Sequence, residues 1–250
     1  MLGGGDLKYS KNHMQSFREQ IKVIRNIKGL KMKRNIKGLK MKKYKWANIV
    51  PLIGGSNFGC YKSTGTKPLY HLSYDAFEKN ESFLEKYWPE IPRIVINENL
   101  KVPDEEIDFV NSVCPCAGLS ALSTAKTNSK SRADANQWMF ESAENVLGKV
   151  KPKVYWGENA PGLFTGVGED TRNKLYAIAK KHDYSISFYK TSTSFHGVPQ
   201  YRNRTFYFFW NSKFAPIMNW YDKEKKPLVE FLKEIPKDAS GQNTTIRDRK

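Results

Sequence analysis

The sequence predicts an α/β fold built on a mainly parallel sheet with helices on both faces. Two observations lead to this prediction. Beyond residue 46, short apolar runs alternate with amphipathic stretches, a pattern that is typical of successive β–α units. The chain of 250 residues is also long enough to enclose an apolar core without a disulfide or a metal to stabilise it. We therefore expect one main domain.

Each element follows from its local pattern. Short apolar runs predict seven strands, at residues 48–53, 69–74, 93–96, 107–113, 153–156, 184–189 and 205–210. Amphipathic stretches predict helices over residues 81–88, 134–147 and 170–182. A short helix over residues 228–233 is bounded by Pro227 and Pro236.

Residues 1–46 are predicted to be a flexible basic tail. The nine residues Arg-Asn-Ile-Lys-Gly-Leu-Lys-Met-Lys occur twice in tandem, at 25–33 and 34–42. Residues 1–47 hold 14 Lys or Arg residues against two acids, so they carry +12 of the formal charge of +17. Two interpretations of the tail stay open: an arm that contacts phosphates without reading sequence, or a solvated extension. Residues 48–250 carry the remaining charge of +5, which is only weak evidence for a nucleic-acid partner.

The remaining chain is predicted to form two parts. Residues 47–212 make up the main domain, and residues 213–250 form a short C-terminal extension. The extension ends in a polar stretch from Lys237 that is expected to be disordered.

The cysteine, histidine and apolar patterns restrict the class of protein. Three cysteines are too few for a disulfide framework, and four scattered histidines show no metal-ligand spacing, so we expect no metal. No stretch approaches the roughly 18 consecutive apolar residues of a membrane span, and the first 30 residues lack the apolar run that a secretory signal needs. We expect an intracellular protein, either cytoplasmic or associated with the nucleoid.

A glycine-rich turn follows the first predicted strand. Gly54 and Gly55, with Gly59, can form the tight turn by which a nucleotide cofactor meets a strand end and a helix N-terminus. Asp75 follows about 20 residues further on, at the end of the next strand, where an acid commonly binds ribose hydroxyls. Each feature alone is weak evidence, because glycines and aspartates are also common in ordinary turns.

Cys116 lies just beyond the predicted strand 107–113, between Pro115 and Gly118. A strand end that opens into a polar loop is a place where a reactive thiol is exposed, although a buried structural cysteine is the commoner case. Residues 117–133 are mostly small and polar, which is typical of a functional lid or a disordered insert. Their position directly after Cys116 favours the lid.

Two further groups of polar residues follow predicted strands. Glu158 and Asn159 come after the strand at 153–156. Strand alternation is expected to place Gln200, Arg202 and Arg204 on one face. Such donors suit an oxygen-rich ligand, but arginines in this arrangement also serve as ion-pair partners.

Together these residues resemble the cytosine-C5 methyltransferase family. Three short signatures of that family occur in the family order, with 42 residues from Cys116 to Glu158 and 42 from Glu158 to Gln200: Pro115-Cys116, Glu158-Asn159 and Gln200-x-Arg202-x-Arg204. Asp134 with Met139-Phe140 matches the helix after the catalytic loop. The resemblance covers residues 47–210 and implies the Rossmann-like fold of S-adenosylmethionine-dependent methyltransferases.

The resemblance also implies roles for the residues. Cys116 is the nucleophile that attacks C6 of cytosine, and Glu158 hydrogen-bonds the ring nitrogen N3. Arg204 holds the O2 oxygen of the base and Arg202 supports the pocket. The residues implied for S-adenosylmethionine are Ile53, Gly54, Gly55, Asp75 and Pro115.

DNA is the implied substrate, with the target base flipped out of the duplex. Lys126, Lys130 and Arg132 in the polar loop are then placed to meet the DNA backbone. A phage or restriction–modification role fits this class, in which case a phage-encoded protein would act in the host cytoplasm. An RNA cytosine methyltransferase on the same core stays open as an alternative.

The sequence departs from the family pattern at several positions. Ala117 and Ala160 stand where the family usually has Gln and Val, and Leu52 stands where an earlier glycine is common. Only 40 residues follow Trp210, whereas the family continues with a target-recognition region and a segment that completes the cofactor pocket. We therefore expect a second polypeptide to supply target recognition, or the chain to be a fragment or an inactive homologue.

Overall fold

The computed structural model describes residues 43–49, 54–74, 83–116, 118–120, 136–219 and 221–235. Several predictions lie outside these residues. They concern the basic repeat, the polar tail from Lys237, the proposed cofactor residues Ile53 and Asp75, and most of the polar loop after Cys116.

The described residues form a seven-stranded mixed sheet, and each strand overlaps one of the seven predicted from sequence. The strands are β1 (Trp46–Ile49), β2 (His71–Ser73), β3 (Arg93–Val95), β4 (Phe109–Val113), β5 (Val154–Asn159), β6 (Ser185–Ser192) and β7 (Asn203–Trp210). Their order across the sheet is β3-β2-β1-β4-β5-β7-β6. Strands β1 to β5 pair in parallel, while β7 lies antiparallel between β5 and β6. The predicted mainly parallel α/β sheet is confirmed.

Five α-helices accompany the sheet in the described part of the chain. They are α1 (Gly55–Thr64), α2 (Phe83–Tyr87), α3 (Gln137–Asn145), α4 (Glu169–Lys181) and α5 (Leu228–Lys233). Helix α3 continues as a π-helical turn over Val146–Val150. The bounds of α5 agree with the prediction, whereas α1 was not predicted as a helix. Its one fully buried residue is Asn57, so the segment shows no apolar periodicity.

Helices cover both faces of the sheet, as predicted. Neighbouring residues of a strand point to opposite faces. On β4, Asn111 hydrogen-bonds Asn57 of α1 on one face. On the other face, Ser112 accepts a hydrogen bond from Tyr155, and the nearby Cys114 contacts Ser142 of α3.

The main apolar core lies between the sheet and helices α3 and α4. Its largest fully buried side chains on the strands are Tyr155, Tyr207 and Phe209, which pack with residues such as Met139 and Leu175 from the helices. Burial of these rings supplies much of the driving force for folding. The sheet thereby becomes a rigid support for the loops at its edges.

The C-terminal extension has a different character. Phe214 is 83% exposed and Ile217 is 99% exposed, and α5 has no buried residue. The extension meets the domain where Lys223 pairs with His196 in an isolated β-bridge. No helix among the described residues is long and apolar enough to cross a membrane.

Candidate active site

A cavity of about 1080 Å³ opens at the carboxyl ends of the parallel strands. This is the edge at which open α/β sheets bind their ligands. Among its lining residues are all four predicted catalytic residues and three of the five predicted cofactor residues: Cys116, Glu158, Arg202, Arg204, Gly54, Gly55 and Pro115. The fold thus brings together residues that are up to 150 positions apart in the sequence.

The backbone around Cys116 is held by turns and by a neighbouring strand end. Its carbonyl accepts hydrogen bonds from the N–H groups of Leu119 and Ser120, each at 2.9 Å. Asn159, at the end of β5, donates from its side chain to the carbonyl of Pro115 at 3.4 Å. The same side chain accepts from the N–H of Ala160 at 2.8 Å. Asn159 therefore links the end of β5 to the turn that carries the thiol.

The two neighbouring cysteines lie in different environments. The Cys116 side chain is exposed to the cavity, whereas Cys114 is buried. Burial raises the pKa of the Cys114 thiol, and hydrogen bonds with Ser112, Ser142 and Tyr207 only partly oppose this. Because the thiolate is the nucleophilic form, Cys116 is the better placed of the two for attack on a ligand.

Glu158 forms an ion pair with the guanidinium of Arg204, across the pairing of β5 with β7. Burial raises the pKa of the Glu158 carboxyl, and the nearby charge of Arg202 opposes the rise. A carboxyl group with a raised pKa can hold a proton nearer to neutral pH and deliver it to a ligand. Arg204 is therefore an ion-pair partner as well as a residue of the cavity lining.

The expectation that Gln200 shares a strand face with the two arginines is wrong. Strand β7 begins at Asn203, and Gly197 with φ 81° turns the chain before it. Strand alternation therefore does not extend back to Gln200, which is exposed and is not among the described lining residues. Arg202 reaches the cavity from the loop and Arg204 from the strand.

Thr193 organises the loop that carries Arg202. Its hydroxyl accepts a hydrogen bond from the N–H of Arg202 at 3.1 Å and donates to the carbonyl of Gln200 at 2.6 Å. The N–H of Thr193 also donates to the carbonyl of Arg202 at 3.1 Å. Thr193 lines the cavity, and sequence reasoning did not single it out.

The glycine turn forms another wall of the cavity. Gly54 has φ 82° and packs against Leu84, so that a side chain at this position would collide with the leucine. Helix α1 begins at the next residue, and its N-terminal N–H groups and dipole favour a negatively charged group. A tight turn at Gly54 therefore leads directly into α1.

Two aromatic side chains that were not predicted from the sequence form a further wall of the cavity. The rings of Tyr74 and Trp138 stack with their centroids 5.0 Å apart, and the Tyr74 hydroxyl hydrogen-bonds Ser142. All three residues line the cavity. The position of Tyr74, at the end of a predicted strand beside Asp75, was the one available signal. Nothing local indicates that Trp138 faces the same space.

The described residues contain no cluster of three or more His, Cys, Asp or Glu side chains that could hold a metal ion.

The sheet order, the helices on both faces and the cavity at the strand ends define a Rossmann-like methyltransferase fold. Residues 53–250 match the C-5 cytosine-specific DNA methylase family, and the chain belongs to that family. No curated protein sequence matches the chain significantly.

The chain is similar to several solved structures. One is described as a DNA modification methyltransferase encoded within a prophage of E. coli, with 21% identity and a TM-score of 0.50 over 67% of this chain and 46% of that one. Another is the methyltransferase EhMeth of Entamoeba histolytica, with 17% identity and a TM-score of 0.49 over 74% of this chain and 58% of that one. The present chain thus spans about half the length of these structures.

Proposed function

We propose that this protein transfers a methyl group from S-adenosylmethionine to C5 of cytosine in DNA, through a covalent bond between Cys116 and C6. The observation that carries the proposal is the shared cavity. An exposed thiol at the end of β4 faces the same space as the paired Glu158 and Arg204 on β5 and β7. Membership of the cytosine-C5 family supports this substrate class.

The proposed reaction begins at the thiol. C5 of cytosine is not nucleophilic, and addition of the Cys116 thiolate to C6 makes it so by turning the 5,6 double bond into an enamine. Glu158 donates its proton to N3, which accepts the electron pair displaced by the addition. Arg204 turns towards O2 and stabilises the charge on the ring, while Arg202 supports the pocket.

Methyl transfer is followed by release of the enzyme. When bound, S-adenosylmethionine supplies an electrophilic methyl group to C5. Loss of the C5 proton to a base then lets the Cys116–C6 bond break, which restores the 5,6 double bond and the thiolate. N3 returns its proton to the Glu158 carboxylate, so Glu158 ends the cycle in the protonated form in which it began.

The cofactor is proposed to lie along the wall formed by the glycine turn. Gly54, Gly55 and Pro115 line the cavity there, and Ile53 and Asp75 are proposed to complete the site. The left-handed Gly54 lets the backbone approach closely, and the N-terminus of α1 suits a carboxylate. This wall therefore suits the carboxylate of an amino-acid group such as the one in S-adenosylmethionine.

DNA must present the base outside the duplex, because C6 cannot be reached within it, and unstacking costs about a few kcal/mol. Lys126, Lys130 and Arg132 are proposed to contact the backbone next to the flipped base. The described part of the C-terminal extension is an exposed segment with one short helix. We propose that a second polypeptide supplies target recognition and that the chain alone methylates duplex DNA without preference for a particular site.

Methyl transfer tests the proposal directly. Unmethylated duplex DNA of mixed sequence and RNA are each incubated with S-adenosylmethionine labelled on its methyl group, using the wild type, Cys116→Ser and the matched control Cys60→Ser. We expect label in DNA with the wild type and with Cys60→Ser, and none with Cys116→Ser. Label transfer by Cys116→Ser would contradict the covalent mechanism, and label in RNA alone would contradict the DNA substrate.

A duplex that contains 5-fluorodeoxycytidine tests the covalent step. The duplex is incubated together with S-adenosylmethionine. After methyl transfer C5 carries fluorine in place of the proton that must be lost, so the Cys116–C6 bond is expected to persist. The adduct should survive denaturing electrophoresis with the wild type and be absent with Cys116→Ser. Failure of the wild type to form it, under conditions in which it methylates DNA, would overturn the role of the thiol.

A further inference from the structure

Two fully buried asparagines connect α1 to β4. The side-chain N–H₂ of Asn111, on β4, donates to Oδ1 of Asn57, on α1, at 2.6 Å and to the hydroxyl oxygen of Ser56 at 3.2 Å. Asn57 and Asn111 both have 0% exposure. The contacts join residues that are 54 and 55 positions apart, so they exist only in the folded protein.

Stability alone is a poor reason for this arrangement. Inner strands of parallel sheets are normally apolar, and a buried amide costs free energy unless its hydrogen-bonding groups are satisfied. Oδ1 of Asn111 and Nδ2 of Asn57 have no hydrogen-bond partner among the described residues. An apolar pair of similar shape would avoid this desolvation cost. We therefore look to the positioning of α1 against β4 for the role of this hydrogen-bonded asparagine pair, the polar bridge.

The bridge ties together two walls of the cavity. Five residues beyond Asn111, the chain of β4 reaches Cys116. Ser56 stands in the first turn of α1, one residue after the glycine turn, and lines the cavity. The spacing between the thiol and the proposed cofactor wall is thus set partly through Asn111.

The direction of the hydrogen bond also orients Ser56. Because the Ser56 oxygen accepts from Asn111, its own O–H is left to donate elsewhere, and the residue borders the cavity. The Ser56 O–H can then donate to an acceptor on a ligand, such as a carboxylate or hydroxyl oxygen. S-adenosylmethionine carries groups of both kinds.

We propose that Asn111 is a positioning residue, which holds the α1 N-terminus against β4 and orients the Ser56 hydroxyl to donate to S-adenosylmethionine bound beside Cys116. The inference rests on the function proposed above. It adds Ser56 to the residues that touch the cofactor and assigns Asn111 a role that acts through Ser56.

Calorimetric titration with S-adenosylmethionine tests the inference without any nucleic acid. Asn111→Leu and Ser56→Ala should each weaken binding by about five- to tenfold, the loss of one hydrogen bond. Asn111→Leu combined with Ser56→Ala should bind S-adenosylmethionine no more weakly than Asn111→Leu alone, because both changes remove the same contact. Asn145→Leu is the matched control, since Asn145 bonds within α3 and is not among the described lining residues.

A second pair of variants separates position from stability. Asn111→Leu leaves the Asn57 amide buried without its partner, so the variant should unfold at a lower temperature than the wild type. Asn57→Leu combined with Asn111→Leu removes both amides and should recover much of that loss. Its affinity for S-adenosylmethionine should nevertheless stay low, because Ser56 still lacks its donor.

The outcomes are distinguishable. Recovery of affinity together with stability in the double leucine variant would overturn the positioning role, and so would unchanged affinity in Ser56→Ala. Ser56→Ala makes the test independent of whether Asn111→Leu folds. If the folded wild type does not bind S-adenosylmethionine, the proposed function fails and the inference fails with it. Binding by the wild type with unaltered affinity in the variants overturns the inference alone.

Discussion

The Glu158 carboxylate and the Arg204 guanidinium form an ion pair in the lining of the cavity. The pair joins β5 to β7, strands that run in opposite directions. Since burial raises the pKa of Glu158, this carboxyl is the group in the site whose protonation is expected to govern the reaction.

Methyl transfer should therefore decline on the alkaline side of the pH profile. Glu158 acts in its protonated form, and the protonated fraction falls as pH rises through the raised pKa. Glu158→Gln cannot transfer a proton and should lose about 10²- to 10⁴-fold in rate. The measurement is the pH dependence of kcat/KM for label transfer. If the alkaline decline in kcat/KM persists unchanged in Glu158→Gln, the decline belongs to the titration of another group.

The same shift predicts an effect on stability. A carboxyl whose pKa is raised by folding contributes stability below its unfolded pKa, and this contribution is lost as pH rises through the folded pKa. The glutamine of Glu158→Gln stays neutral. The melting temperature of this variant should therefore rise relative to that of the wild type as pH increases through the folded pKa of Glu158. Thermal unfolding at a series of pH values checks the direction. A difference that shrinks with rising pH would contradict the raised pKa.

Thr193→Val should impair catalysis more than cofactor binding. Valine keeps the shape of threonine but removes the hydroxyl that holds the N–H of Arg202 and the carbonyl of Gln200. We expect a loss of about tenfold to a hundredfold in kcat, since a small displacement of a catalytic group has effects of that size. Thr193→Ser keeps the hydroxyl and should retain most of the activity. Equal losses in both variants would assign the effect to packing.

Gly157→Ala should destabilise the domain. A methyl group on Gly157 would collide with the hydroxyl end of Tyr207, which is fully buried. Overpacking of this kind costs about 1–3 kcal/mol. Urea unfolding measures the loss, and Gly166→Ala is the control because nothing lies within 4 Å of the corresponding position there. Similar midpoints for the two variants would show that the core beside β5 can expand.

The three cysteines should react with iodoacetamide in the order Cys116, Cys60, Cys114. Cys116 is exposed, whereas burial raises the pKa of Cys60 to about 12 and also raises that of the fully buried Cys114. At pH 8 the thiols of Cys60 and Cys114 therefore hold little reactive thiolate. Peptide mass mapping of the native protein over time gives the order. Modification of Cys114 before Cys116 would contradict the described environments.

Stability should fall in mild acid because of His71. Burial lowers the pKa of His71 from 6.5 to about 4, and its Nδ1–H donates to Oδ1 of Asn48 at 2.8 Å. A histidine with a lowered folded pKa contributes stability above its unfolded pKa, and this is lost as pH falls from 6.5 towards 4. His71→Gln should flatten that part of the stability profile. An unchanged profile would assign the acid sensitivity to other groups.

Much of the fold was predictable because strands and amphipathic helices leave local patterns. Each of the seven predicted strands overlaps an observed one, and α5 was predicted with its observed bounds. Helix α1 was not predicted. Its residues are mostly polar or glycine and show no apolar periodicity, because the buried contact of this helix is made by the amide of Asn57. A buried polar contact has no signature in a single sequence.

The sequence by itself determined the family and the candidate residues of the site, because Cys116, Glu158 and Arg204 lie in short signatures with a regular spacing. Only the tertiary structure decided what those residues face. In the structure Glu158 pairs with Arg204, Gln200 lies outside strand β7, and Asn111 hydrogen-bonds Asn57. These relationships depend on the insertion of β7 between β5 and β6 and on the packing of α1 over β4. Strand order and packing arise from contacts between distant residues, which no local pattern encodes.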